Sequence, residues 1–182
     1  MTSNQAPPLP EPYLKMALAL LREQGEAQWL PVTGRSMVPL IWPGDQVRVT
    51  AAWQPAARGD ILTFLQDGQL NTHRLLRSIN VGGQWVYVTK GDNQWQPDPP
   101  LNEADIVGRV EAVRRGERSW GPNGRFWRWS NRYLTQRMFI QTRLYPLLHP
   151  FYHWLPLRLL AALYRRLRLL PWWLLRALTG RR

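Results

Sequence analysis

The strongest constraint on the fold is a series of six short runs between Gln28 and Arg115 that are rich in β-branched and aromatic residues. These runs are QWLPVTG, DQVRVTA, DILTFL, LNTHRLL, QWVYVTK and DIVGRVEAV, and each has the length and composition of a β-strand. Turn-forming sequences separate them: Pro43-Gly44-Asp45, Arg58-Gly59-Asp60, Asp67-Gly68, Gly82-Gly83 and Gly91-Asp92-Asn93. This spacing predicts a mainly β fold, a compact antiparallel and partly closed barrel or sandwich.

Several other classes of protein are excluded by what the sequence lacks. It has no βαβ alternation, no nucleotide-binding glycine loop and no internal repeat. With no cysteine, the chain can form neither disulfides nor thiolate zinc sites, and it has no cysteine nucleophile. Its three histidines, His73, His149 and His153, are not spaced as metal ligands. We therefore predict neither a metal nor a cofactor.

The charge divides the chain into two regions. Residues 1–117 contain 11 lysines and arginines and all 12 acidic residues, whereas residues 118–182 contain 13 arginines and no acid. Gly116, Gly121, Pro122 and Gly124 predict a linker over 116–124. We accordingly expect a β domain over 13–115 and an Arg/Trp/Leu-rich helical region over 125–182.

The N-terminal residues are of two kinds. Residues 1–12 are polar and proline-rich, which predicts disorder. Residues 13–23 place Leu14, Leu18 and Leu21 on one face of a short helix. The longest uncharged run here is Met16–Leu21, far below the roughly 20 apolar residues of a membrane span. We therefore expect no transmembrane helix before residue 36.

The segment GRSMVPLIWPGD places one serine, Ser36, ahead of a proline and a Gly-Asp turn. A serine hydroxyl is a weak nucleophile until a base removes its proton. The β region offers His73 as that base, and an imidazole suits the role because it titrates near neutral pH. Asp92 or Asp98 could orient the imidazole, and residues alone do not decide between them.

The ordered series GRSMVPLIWPGDQVRV, RGDILTF, THRLL, VTKGDNQWQPD and IVGRV resembles the type I signal peptidases and their relatives, which include the self-cleaving SOS-type repressors. The resemblance covers about Thr33–Val113 and is closest to the endoplasmic-reticulum and archaeal branch, which pairs serine with histidine. It implies a serine endopeptidase with a β-rich fold, Ser36 as nucleophile, His73 as general base, and Asp92 and Asp98 as supporting acids. Its substrate would be a peptide or protein.

Two features depart from that branch. Its members carry a transmembrane helix before the serine, which we do not expect here, and Arg35 stands where a small residue is usual. Lys90 could replace His73 as base, as lysine does in the bacterial branch. Because Lys90 lies in the Gly-Asp box, we expect it instead to face solvent at a strand end.

Two other functions are open. One is a regulatory autoprotease like the SOS-type repressors, although about 30 residues precede the serine box and no Ala-Gly or Cys-Gly bond occurs there. The other is a non-catalytic membrane-binding module on a peptidase fold.

Residues 125–182 combine 12 arginines with five tryptophans and many leucines. Their longest uncharged run, Leu144–Leu157, contains three prolines and is too short to span a bilayer. This composition favours helices that lie at the membrane surface, with the all-arginine charge suited to the cytoplasmic leaflet. Packing of the helices on the β domain or on another subunit is the alternative, and nucleic-acid binding is less favoured because of the leucine content.

Overall fold

The computed structural model describes residues 27–148, which form eight strands and one long helix. The elements are β1 (Gln28–Pro31), β2 (Gln46–Thr50), β3 (Ile61–Gln66), β4 (Gln69–Val81), β5 (Gln84–Lys90), β6 (Leu101–Asn102), β7 (Ile106–Arg115), β8 (Arg118–Trp120) and α1 (Arg125–Leu148), with a 3-10 turn over Glu103–Asp105. The predictions for residues 1–12, for a helix over 13–23 and for residues 149–182 lie outside the described residues.

The strands form a single antiparallel sheet in the order β1-β2-β7-β3-β4-β5-β6, with β8 paired to β7. The prediction of a mainly β, antiparallel fold is confirmed. The sheet is not closed, because its two end strands, β1 and β6, pair with β2 and β5 and not with each other. Strand β8 lies within the segment 116–124 that composition predicts as a linker.

The Asp67-Gly68 hairpin joins β3 to β4 as predicted. Gln66 and Gln69 are opposite each other in the ladder, so the loop contains two residues. The φ angles of these two loop residues are 52° for Asp67 and 69° for Gly68. Both angles are positive, as a type I′ turn requires, and its twist matches that of the flanking strands. The turn sets the register that brings His73 opposite Leu62.

The core has one apolar cluster on each side of β3. All but the last residue of this strand is buried, so the strand is covered on both faces. Ile61 and Leu65 belong to the cluster beneath α1, while Leu62 and Phe64 belong to the other. In that second cluster, burial raises the pKa of the Tyr87 phenol above its usual value, and the nearby Glu103 carboxylate adds to the effect.

Helix α1 packs along the sheet with one face. Trp127, Leu134 and Met138 are buried, and Ser130 and Gln141 are the polar residues buried on the same face. These positions recur at intervals of three and four, the spacing of one helical face. The first part of the region predicted over 125–182 is therefore a helix attached to the β domain.

Candidate active site

Ser36 begins a tight turn between β1 and β2. The amides of Leu40 and Ile41 both donate to the carbonyl of Met37, each at 3.1 Å, and so close the turn. The side chains of these three residues are buried, whereas Ser36 is half-buried. The apolar neighbours anchor the turn in the core and leave the Ser36 side chain partly accessible.

The Gly-Asp turn that follows is fixed by the Asp45 carboxylate. Its Oδ2 accepts from the Trp42 amide at 2.7 Å, and the Arg115 guanidinium donates to both oxygens at 2.7 and 2.6 Å. Asp45 is buried, so these charge-assisted bonds are formed away from water. They tie the segment after the serine to the end of β7.

His73 projects from β4 towards Ser36. Its Nε2 is 2.9 Å from Oγ of Ser36, and its Nδ1 is 2.8 Å from Oδ2 of Asp98. The side chain is buried, and its ring meets the Phe64 ring edge-on with the centroids 5.7 Å apart. Hydrogen bonds at both nitrogens and packing against the ring hold the imidazole in one orientation.

Asp98 is held in place by Thr89 of β5. The Thr89 hydroxyl donates to Oδ2 of Asp98 at 2.7 Å, and the Asp98 amide donates to the Thr89 carbonyl at 2.9 Å. The sequence had not singled out Thr89, although it directly precedes Lys90 in the Gly-Asp box. The structure thus brings Asp98, Thr89, His73 and Ser36 together in one hydrogen-bonded chain.

Asp92 lies on the other side of β4, with Arg74. The guanidinium donates to both carboxylate oxygens, from Nε at 2.7 Å and from Nη2 at 2.8 Å, and both side chains are fully buried. His73 and Arg74 are consecutive residues of one strand, so their side chains point to opposite faces. The two predicted acids are therefore divided: Asp98 contacts the histidine and Asp92 contacts the arginine.

The expectation that Lys90 faces solvent is wrong. Lys90 is 0% exposed, and its Nζ donates to Oε1 of Gln141 on α1 at 3.0 Å. It stands directly across from Arg74 in the β4–β5 ladder, and such cross-strand partners share a face of the sheet. Its aliphatic stem is buried under α1 because that helix covers the strand end, which the local sequence does not reveal.

The backbone of Ser36 is held by residues 91–94. The Asn93 amide donates to the Ser36 carbonyl at 2.7 Å, and the Asn93 side chain donates to the Arg35 carbonyl at 3.4 Å. A side chain on Gly91 would place its Cβ 2.9 Å from the Ser36 carbonyl oxygen, which is too close. Glycine is therefore required at position 91. Gly91 and Asn93 both lie in the VTKGDNQWQPD box, but the sequence alone does not indicate that they contact the Ser36 backbone.

These groups have the geometry of a base-activated hydroxyl. The Ser36 hydroxyl can donate to Nε2 while Nδ1–H donates to the Asp98 carboxylate, which is the tautomer that prepares the imidazole to accept a proton. Within residues 27–148, no cluster of three histidine or acidic side chains could hold a metal ion. In the same stretch, no helix has the length and apolar character needed to cross a bilayer.

Comparison with protein-family models assigns the chain to a family. No curated protein matches the chain. The model of the Peptidase S24-like family matches residues 3–111, which is more than half of the 182 residues and includes Ser36, His73 and both aspartates. With the β-rich fold and the serine–histidine pair, this match shows that the chain belongs to the Peptidase S24-like family.

Proposed function

We propose that the protein is a serine endopeptidase that uses Ser36 as nucleophile and His73 as general base. The observation that carries this proposal is the continuous chain from Ser36 Oγ through His73 to Asp98, with donor–acceptor distances of 2.9 and 2.8 Å. Family membership supports the serine peptidase class. Asp98 would orient the imidazole, and Asp92 would support the site from the opposite face through Arg74.

The reaction would proceed through an acyl-enzyme. Ser36 Oγ forms a bond to the scissile carbonyl carbon while His73 takes the hydroxyl proton. His73 then gives that proton to the leaving amine as the C–N bond breaks, and the Asp98 carboxylate stabilises the imidazolium meanwhile. Water, deprotonated by His73, hydrolyses the ester. The Ser36 amide makes no hydrogen bond within the described residues and is the candidate oxyanion donor.

The substrate class that we propose is a leader or precursor peptide cleaved close to a membrane. Support comes from the resemblance of the ordered boxes to the serine–histidine signal peptidases. The regulatory autoprotease is the alternative, because membership of the Peptidase S24-like family supports a serine peptidase fold and is compatible with either role. The two differ in whether the scissile bond belongs to another chain or to this one.

The membrane would be reached through residues 125–182. On α1 the face turned away from the sheet exposes Trp129, Phe139 and Ile140 beside Arg128, Arg132 and Arg143. The Arg143 guanidinium lies 4.3 Å from the Phe139 ring centroid, so apolar and cationic groups form one surface. Helix α1 has no acidic residue to oppose anionic head groups. We therefore propose peripheral attachment at the cytoplasmic leaflet.

The decisive experiment compares wild type, Ser36→Ala and His73→Ala on a diverse peptide library read by mass spectrometry, with lipid vesicles present. We expect wild type to cleave and both variants to lose cleavage. A wild type that cleaves only its own chain, at a rate independent of protein concentration and abolished by Ser36→Ala, would favour the autoprotease. Equal product patterns from wild type and Ser36→Ala would refute the peptidase proposal.

A further inference from the structure

We propose that helix α1 fixes the position of Ser36 relative to His73, and that Arg137 and Gln141, two residues of this helix, are positioning residues for the reaction. This inference rests on the proposed peptidase function. Neither residue belongs to the boxes that resemble the peptidases, and neither is within the family match, which ends at residue 111. Both act through the β5–β6 connection, residues 91–100.

The β5–β6 connection carries two parts of the site at once. Near its start, the Asn93 amide holds the Ser36 carbonyl at 2.7 Å. Near its end, Asp98 contacts His73 Nδ1 at 2.8 Å. The relative position of nucleophile and base therefore depends on where this segment lies, and the segment is not itself a strand or a helix.

Side chains of helix α1 bind main-chain carbonyls at the start of the β5–β6 connection. Arg137 Nη2 donates to the Asp92 carbonyl at 2.8 Å, and Gln141 Nε2 donates to the Gln94 carbonyl at 3.3 Å. These two carbonyls flank Asn93, whose amide holds Ser36. The helix thus reaches the serine backbone through one intervening residue.

The polar side chains beneath α1 add a second set of links. Arg74 donates to the Asp92 carboxylate, to the Gly59 carbonyl at 3.0 Å and to Oδ1 of Asn131 on the helix. Gln141 also accepts from Lys90 Nζ at 3.0 Å. Arg74 and Lys90 are fully buried, and charge-assisted hydrogen bonds are strong in such surroundings. Helix α1, the β5–β6 connection and strand β4, which carries both Arg74 and His73, are thereby joined.

This arrangement predicts an effect on reactivity beyond an effect on stability. Without the Arg137 bond the Asp92 carbonyl loses its donor, and the Asn93 amide can move away from Ser36. Misplacement of a catalytic group by about 1 Å can cost about 100-fold in rate. A helix that served only to cover the core would alter the melting temperature and leave the reactivity of folded molecules unchanged.

The test measures the second-order rate at which a fluorophosphonate modifies Ser36 in the full-length chain, at a temperature where every variant is folded. The variants are Arg137→Met, Arg137→Lys and, as a matched control on the exposed face of α1, Gln136→Met. Melting temperatures are recorded for each. Fluorophosphonate modification needs the activated hydroxyl but no knowledge of the peptide substrate.

We expect Arg137→Met to lower the labelling rate by about 10- to 100-fold at every pH tested, through displacement of Ser36. Arg137→Lys should recover most of the rate, because a lysine retains a charged donor and Arg137 Nε makes no hydrogen bond within the described residues. Gln136→Met should label like wild type. A folded Arg137→Met variant that labels at the wild-type rate would overturn the inference.

A second variant covers the case in which Arg137→Met does not fold. Gln141→Glu keeps an acceptor for Lys90 but loses the donor to the Gln94 carbonyl, so we expect slower labelling with little loss of stability. Labelling at the wild-type rate would refute the positioning role. A wild type that neither labels nor cleaves peptides would instead count against the proposed function, and the two failures are thus distinguishable.

Discussion

At the residue scale, the two aspartates near β5 differ in what their side chains touch. The sequence indicates Asp92 and Asp98 as possible partners of His73 and does not distinguish between them. Strand alternation predicts that His73 and Arg74 point to opposite faces, which the structure has. The choice of aspartate depends on the path of residues 91–100, an irregular segment whose course is set by contacts with Ser36, Thr89 and α1.

This difference predicts that Asp98→Asn mainly lowers the catalytic rate, whereas Asp92→Asn mainly lowers the stability. Asp98→Asn should lower kcat by about 10³- to 10⁴-fold, because the amide favours the wrong imidazole tautomer. Asp92→Asn should cost about 3–5 kcal/mol of stability, because it leaves the fully buried Arg74 without its charged partner. Peptide cleavage and urea unfolding of both proteins measure the two effects. A larger stability loss in Asp98→Asn than in Asp92→Asn would contradict the assignment.

At the element scale, the strands could be predicted far better than the position of the helix. The turn sequence Asp67-Gly68 has a local physical cause, namely positive φ at both positions, so the sequence alone indicates the hairpin. The apolar periodicity of α1 indicates a helix with one face to bury, but both a membrane and a protein surface can cover such a face. The buried state of Lys90 followed from this tertiary contact and could not be predicted locally.

Two tryptophans of α1 allow a matched test of which face packs on the sheet. Trp127 is 5% exposed and lies in the apolar cluster, whereas Trp129 is 45% exposed. Trp127→Ala should lower the free energy of unfolding by about 3–5 kcal/mol, the usual cost of a large core truncation. Trp129→Ala should change it by no more than about 0.5 kcal/mol. Urea denaturation followed by circular dichroism measures both, and equal losses would contradict the observed face.

At the scale of the whole molecule, the charge division corresponds to the architecture. Residues 1–117 carry a nearly balanced charge and contain strands β1–β7. In residues 118–182, which include α1, every lysine, arginine, aspartate or glutamate position is an arginine. The outer face of α1 places some of these arginines on the surface of the domain that contains Ser36 and His73. A membrane bound there would lie beside the element that holds the Ser36 segment, so attachment and catalysis would use one helix.

This arrangement predicts salt-dependent binding of the full-length chain to anionic vesicles, measured by co-sedimentation with phosphatidylcholine vesicles that do or do not contain phosphatidylglycerol. Binding should require the anionic lipid and should weaken as salt rises from about 0.1 to about 1 M, because the screening length falls from about 10 to about 3 Å. Each arginine at the surface contributes about 1 kcal/mol, so Arg132→Gln should reduce the partition coefficient about five-fold.

Arg48→Gln is the matched control for that measurement. Arg48 is a half-exposed arginine of β2 that pairs with Glu111 at 3.0 Å, so its loss changes the net charge equally but removes no group from the outer face of α1. We expect this variant to bind vesicles within about two-fold of wild type, since charge far from the bilayer is screened. Equal losses in the two variants would show that general charge attracts the protein to the membrane and that α1 has no particular part in it. Binding that ignores both salt and anionic lipid would refute an electrostatic attachment altogether.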